Sequence, residues 1–68
     1  MCQMNVFFEQ DGNREKVLEN ATLLEVTPDG IRVSAFFEEP KLVAEAHVSR
    51  IDFLSGTVIL EKNKRALP

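Results

Sequence analysis

The chain has 68 residues, a formal net charge of −3 and a hydrophobic fraction of 44%. This length corresponds to one small domain, because a chain of about 60 residues buries only about 60% of its unfolded surface. The hydrophobic fraction is typical of a globular protein and argues against intrinsic disorder. The negative charge argues against a protein whose main task is to bind the phosphate backbone of nucleic acids.

The beginning of the chain lacks the features of a targeting segment. No apolar run approaches the ~20 residues that a membrane-spanning helix requires, and Asn5, Glu9 and Asp11 interrupt the apolar segment of any signal peptide. A free thiol in a chain without an export signal fits a reducing compartment. We therefore expect a cytoplasmic protein that makes no membrane contact.

The first half of the chain predicts three strands. Residues 2–9 are rich in Val and Phe, which favour strands, and Asp11-Gly12-Asn13 predicts a turn. Residues 14–17 are compatible with a hairpin partner for the first strand, and a bend is expected at Glu19-Asn20. A second strand at 22–27 and a third at 31–37 flank Pro28-Asp29-Gly30, a hairpin signal. The alternation predicts that four residues of the third strand point inward: Ile31, Val33, Ala35 and Phe37.

The second half continues in the same way. Residues 38–40 are expected to interrupt the sheet, and 41–46 fit either a helical turn or a strand. Residues 48–54 predict a strand with Ile51 and Phe53 on one face, 55–56 a turn and 57–61 a last strand. Five to six short antiparallel strands with regular turns indicate a small all-β barrel or sandwich. We expect a single β-barrel domain over 1–62 and a flexible basic tail over 63–68.

Metal-binding chemistry is concentrated at the first three residues. Cys2, the only cysteine, lies one position from the amino terminus. If Met1 is removed, the α-amine and thiol of Cys2 form a five-membered chelate, and their pKa values of about 7.7–8.0 and 8.5 allow both to lose protons to a metal. If Met1 is retained, its amine joins the amide and thiolate of Cys2. The amide nitrogen of Gln3 is a further donor in the first case.

One chain supplies too few ligands to complete a closed site. A structural zinc site takes four N or S ligands, and the chain has one Cys and one His. Two chain starts that meet at a two-fold axis would supply two thiolates and several nitrogens. A planar N/S set suits Ni(II) or Cu(II), whereas Zn(II) prefers a tetrahedron. We expect Ni(II), with Cu(II) or Zn(II) as alternatives in vitro; the simpler interpretation of Cys2 is a small buried apolar residue.

Adjacent phenylalanines provide a separate argument for self-association. In Phe7-Phe8 and Phe36-Phe37, neighbouring side chains of a strand point to opposite faces. A monomer would therefore expose two large rings, which a homodimer would cover. His47 is interpreted as a structural or surface residue. No nucleophile–base pair or carboxylate dyad is apparent, so we expect a protein that is not an enzyme.

Two segments point to a known family: Met1-Cys2 leading into a strand, and residues 50–60 (RIDFLSGTVIL), with support from residues 29–33 and 37–39. In these segments the chain resembles the CooT-type small nickel-binding proteins. The resemblance implies an SH3-like barrel that forms homodimers in which Cys2 of each subunit contributes to one nickel site. It further implies storage or delivery of nickel for an enzyme such as carbon monoxide dehydrogenase, or work with that enzyme's maturation factors.

Two alternatives remain open. The same family is also catalogued as predicted RNA-binding proteins, and an exposed Phe7 or Phe36 beside Arg32 and Arg50 would support base stacking. A third possibility is a scaffold dimer with an incidental thiol, which predicts dimerisation indifferent to metal.

Overall fold

The structure is a computed structural model that describes residues 3–63. Within this range the chain forms six strands and no helix, so no described segment is a helix able to cross a membrane. The strands are β1 (Met4–Gln10), β2 (Asn13–Thr27), β3 (Gly30–Ala35), β4 (Lys41–Ala44), β5 (Ala46–Asp52) and β6 (Thr57–Lys62). The predicted all-β class is confirmed.

Strand β2 is 15 residues long and takes part in two different strand pairs. Its first half pairs with β1, as predicted for residues 14–17, and its second half pairs with β3. Ala21 marks the change, because it is the register partner of both Met4 and Ala35. Asn20 has a φ of 56°, and the register of β1 and β2 shifts beside it. The predicted bend is therefore a bulge inside one long strand.

The strand order in the sheet is β4-β3-β2-β1-β6-β5. Four of the five neighbouring pairs are antiparallel as expected, but β1 and β6 are parallel. A parallel pair needs a long connection between its strands, and here the rest of the domain provides it. The pairing aligns Asn5 with Thr57, so the start of β1 lies beside the start of β6.

The sheet curls so that its two outer strands follow one another along the chain. Strands β4 and β5 are separated only by Glu45, whose φ is 54°. The Glu45 amide donates to the Asp29 carbonyl at 2.9 Å, and the Asn63 amide donates to the Glu45 carbonyl at 2.7 Å. Strand β3 also contacts β5. No ladder joins β4 to β5 in the part of the chain that the structure describes, so the predicted barrel is a curled, open sheet.

The core is a cluster of apolar side chains contributed by five of the six strands. In β1, Val6 is fully buried and Met4 and Phe8 pack against the core, so these alternate residues share the inward face. Ile31 and Val33 are also buried, as predicted. Within residues 3–63, nine apolar residues are buried: Val6, Leu18, Ala21, Ile31, Val33, Ala46, Val58, Ile59 and Leu60. All of these except Ile59 belong to one core cluster.

The prediction that Phe37 points inward is wrong. Strand β3 ends at Ala35, and Phe37 is fully exposed with a φ of 65°. The Glu38 amide donates to the Ala35 carbonyl at 3.4 Å, which turns the chain away from the sheet. Because Pro40 has no amide hydrogen to continue a ladder, pairing between β3 and β4 begins only at Val33 and Lys41.

The predicted strand over 48–54 also ends early. Strand β5 stops at Asp52, and Phe53 lies in the following turn, where it is exposed. Ile51 is exposed as well, so the expected shared face of these two residues does not form part of the core. Of the predicted tail, Asn63 is hydrogen-bonded to Glu45, and residues 64–68 lie outside the described range.

Candidate metal centre

The three predicted ligand residues, Met1, Cys2 and Gln3, directly precede β1 in the sequence. Gln3 is exposed and directly precedes β1. Met1 and Cys2 lie outside the described residues, so the structure describes the support of the predicted site and one of its three residues. The geometry of that support follows from the contacts of Asn5, the first residue of β1 that pairs with β6.

Asn5 holds the start of β1 from two sides. Its amide donates to the Gly56 carbonyl at 2.7 Å, and its side-chain Oδ1 accepts a hydrogen bond from the Asn20 amide at 3.2 Å. The second bond satisfies a backbone donor that the bulge would otherwise leave without a ladder partner. The chain start is therefore tied both to the turn before β6 and to the bulge in β2.

The turn between β5 and β6 is structured by Asp52. The Oδ1 atom of Asp52 accepts hydrogen bonds from the amides of Leu54 at 3.0 Å and Ser55 at 3.2 Å. The turn closes at Gly56, whose φ is 68°, and a Cβ at this position would lie 3.4 Å from the Gln3 carbonyl oxygen. The turn thus lies in van der Waals reach of the residue that follows Cys2.

This turn presents apolar side chains to solvent beside the chain start. Phe53 is 79% exposed and Leu54 is fully exposed. A small recess of about 110 Å³ lies next to the start of β1. Its lining is mostly apolar and comprises Met4, Val6, Ala21, Thr22, Leu23, Leu24 and Val58. Large exposed apolar side chains grouped at one place are typical of a contact surface.

The described residues provide no rival metal site. No group of three or more His, Cys, Asp or Glu side chains within residues 3–63 is arranged to hold an ion. His47 is exposed, and its Nδ1 lies 2.8 Å from Oδ1 of Asn63. Several carboxylates are instead in surface ion pairs, such as Glu9 with Arg14 at 2.6 Å.

Comparison with known proteins decides the family. The sequence matches the family described as "CO dehydrogenase accessory protein CooT" over residues 1–61, a range that includes Met1, Cys2 and Gln3. The chain belongs to the CooT family.

The fold of this CooT-family chain is shared with a solved structure. The crystal structure of a protein assigned to CooT from Carboxydothermus hydrogenoformans is similar, with a TM-score of 0.82 and 22% sequence identity. The similarity covers 93% of this chain and 100% of that one. No curated protein matches the sequence. At this level of identity the structural match establishes the fold, and the family match adds the accessory role.

The aromatic residues of this CooT-family chain also bear on the RNA alternative. The Phe7 ring is half-buried and has the Arg14 guanidinium carbon 5.7 Å and the Lys16 ammonium 6.0 Å from its centroid. These cations occupy a face that a base would need for stacking. Phe36 is exposed, whereas Arg32 is paired with Glu25 at 3.3 Å. RNA binding remains a prediction without a specific supporting contact.

Sequence reasoning missed the residues that support the chain start. The turn at Ser55-Gly56 was expected, but its contact with Gln3 and Asn5 depends on the parallel pairing of β1 with β6. The local sequence did indicate a turn at Asp52. An Asp side chain can accept hydrogen bonds from the backbone amides two and three residues later, which here belong to Leu54 and Ser55. Nothing local indicated that this turn would lie beside Gln3.

The hydrogen bonds accepted by Asp52 predict how its carboxyl group titrates. The pKa of Asp52 is lowered from 3.8, first by the hydrogen bond from the Ser55 amide, with smaller contributions from the Leu54 amide and the Arg50 charge. Because the folded-state pKa is below the unfolded value, this stabilisation is present above about pH 3.9 and is lost as the pH falls through the folded pKa. An NMR titration is expected to place the Asp52 midpoint below 3.8, with the Ser55 amide shift following the same curve.

A variant provides the control for this titration. Asp52→Ala removes the acceptor, so its Ser55 amide shift should show no transition in that pH range. A midpoint at or above the ordinary aspartate value, or an unchanged Ser55 transition in Asp52→Ala, would contradict the assigned hydrogen bond.

Proposed function

We propose that this chain is a non-enzymatic, cytoplasmic nickel-binding homodimer that stores or delivers Ni(II) for carbon monoxide dehydrogenase. The observation that carries the proposal is the family match over residues 1–61, because the family is described as an accessory of CO dehydrogenase and the matched range contains Cys2. Ni(II) is here a cargo that the protein binds and releases. The remaining support comes from how the chain start is held.

Cys2 belongs to the segment that leads directly into β1. Gln3, the residue after Cys2, has its carbonyl oxygen 3.4 Å from the position that a Cβ of Gly56 would take. The Asn5 amide donates a hydrogen bond to the Gly56 carbonyl. These contacts tie the residues that follow Cys2 to the turn between β5 and β6.

A partner subunit would supply the second half of the shared site. A second copy that packs on Phe53, Leu54 and the neighbouring recess would cover apolar side chains that are now in water. A two-fold contact places the same surface of both copies face to face, so both chain starts would approach the axis. An ordinary interface covers about 800 Å² on each partner, a modest share of the 5225 Å² surface of this chain.

The ligand set would combine donors from both chain starts. Two Cys2 thiolates, together with amine and backbone nitrogens from residues 1–3, form an N/S set that suits a planar Ni(II) geometry. The donors are the Cys2 amine and the Gln3 amide nitrogen if Met1 is removed, or the Met1 amine and the Cys2 amide if it is retained. The proposal of a site at the start of the chain is supported by the absence of a competing cluster within residues 3–63.

A titration of the reduced protein with Ni(II) tests the proposal. Thiolate-to-nickel charge-transfer absorption is expected to rise and level off at about one nickel ion for every two chains, as a shared two-fold site requires. Sedimentation of the same samples should give the mass of a dimer. Absence of the charge-transfer band, or nickel uptake by a species that sediments as a monomer, would contradict the proposal.

A further inference from the structure

The connection between β3 and β4 presents two aromatic rings to solvent. Phe36 is 62% exposed and Phe37 is fully exposed. Their ring centroids are 6.3 Å apart with the planes inclined at 54°, so the rings contact each other at the tip of the turn. Both follow Ala35, the last residue of β3. We name residues 36–39 the aromatic–acidic turn.

The backbone of this turn is strained at Phe37. Its φ of 65° lies in the left-handed region, which glycine and asparagine adopt readily and bulky side chains avoid. The ring is in solvent and outside the buried core, so its burial does not offset the strain. A strained residue with no gain for the fold points to a use of the side chain outside the fold.

The turn is anchored at both ends. The Glu38 amide donates to the Ala35 carbonyl, and the Lys41 ammonium donates to the Val17 carbonyl of β2 at 3.1 Å. These bonds connect the turn to two strands of the sheet. A ring presented on an anchored turn loses less conformational freedom when it binds a partner.

Two carboxylates follow the rings directly. Glu38 and Glu39 are exposed, and none of the ion pairs found within residues 3–63 involves either of them. The turn therefore combines an apolar tip with an exposed negative edge. Its complement is an apolar pocket bordered by lysine or arginine side chains.

We propose that the aromatic–acidic turn is the surface by which this chain docks onto CO dehydrogenase, with Phe37 as the anchor; this rests on the delivery role proposed above. A second copy of the chain fits the turn poorly, because a two-fold contact would bring Glu38 and Glu39 of both copies together. The apolar surface assigned to the dimer is the turn at Phe53 and Leu54, beside the chain start.

Binding to purified, nickel-free CO dehydrogenase from the same organism tests the docking surface. The decisive variant is Phe37→Gly, because glycine removes the ring and also adopts the observed φ without strain. It is expected to weaken binding by about 10-fold or more, as loss of an anchor does, while its thermal unfolding midpoint stays equal or rises. Glu38→Gln combined with Glu39→Gln should weaken binding mainly at low salt.

Matched controls separate this proposal from the nickel proposal. Val26→Ala truncates another exposed apolar residue, 78% exposed on β2, and should leave binding unchanged. Cys2→Ser should still dock, and Phe37→Gly should still bind nickel, so either proposal can fail alone. The docking surface is overturned if wild-type protein fails to bind at tens of micromolar, typical of a weak complex, or if Phe37→Gly binds like wild type. It is also overturned if Phe37→Gly converts the dimer to a monomer.

Discussion

Replacing Gly30 by alanine is expected to destabilise the domain by about 3 kcal/mol or more, a large part of its total stability. Gly30 begins β3, has a φ of 148° and pairs with Ala44 of β4. A Cβ at this position would overlap the carbonyl oxygen of Val43 and lie 2.9 Å from Cα of Ala44 and 3.0 Å from the Glu45 amide nitrogen. All three are backbone atoms, so no side-chain rotation can make room.

The size of this effect follows from the small total stability of the domain. Proteins have a free energy of unfolding of about 0.05–0.15 kcal/mol per residue, which gives roughly 3–10 kcal/mol for a domain of this length. Relieving the overlap would move the junction at Glu45, where the chain passes from β4 to β5 and where the Asp29 carbonyl accepts a hydrogen bond. We expect a loss of about 3 kcal/mol or more, measured by circular dichroism during thermal unfolding.

Gly12→Ala is the matched control for this prediction. Gly12 also has a positive φ, of 80°, but a Cβ there would have no atom within 4 Å. The only cost is that of holding an alanine in a left-handed backbone conformation, about 1–2 kcal/mol of stability. This loss lowers the unfolding midpoint by several degrees for a domain of this size. Equal unfolding midpoints for the Gly12 and Gly30 variants would show that the contact with β4 is not as close as the structure indicates.

Replacing Cys2 by serine is expected to remove high-affinity nickel binding. The thiolate is the strongest ligand in the proposed set, and a serine hydroxyl does not deprotonate near neutral pH to replace it. Loss of a supporting residue around a metal site already costs about 10–100-fold in affinity, so loss of the ligand itself should cost at least about 100-fold. Isothermal titration with Ni(II) measures the change, and the charge-transfer band should disappear with it.

His47→Ala is the control variant for nickel binding. His47 is exposed and is hydrogen-bonded through Nδ1 to Asn63, and it lies outside the proposed ligand set. The variant should therefore retain wild-type nickel affinity and spectrum. The reverse pattern, with nickel retained by Cys2→Ser and lost from His47→Ala, would move the site away from the chain start.

The predicted strands were largely correct because strand patterning is local. Alternation of apolar and polar residues identified Ile31 and Val33 as core residues, and both are buried. The turn residues at 11–13 and 28–30 identified the two hairpins of β2 with its neighbours. The same rule failed at Phe37, because alternation shows which face a residue takes within a strand and cannot show that the strand ends two residues earlier.

The sequence alone therefore determined the fold class, the hairpins and the concentration of metal-binding groups at Met1, Cys2 and Gln3. The tertiary structure decided which elements support that chain start. The parallel pairing of β1 with β6 places Asn5 against Gly56, and the curl of the sheet brings Gly30 against Ala44 and Glu45. The physical reason is that these contacts join residues far apart in the chain, and their cost or benefit exists only once the backbone segments have packed together.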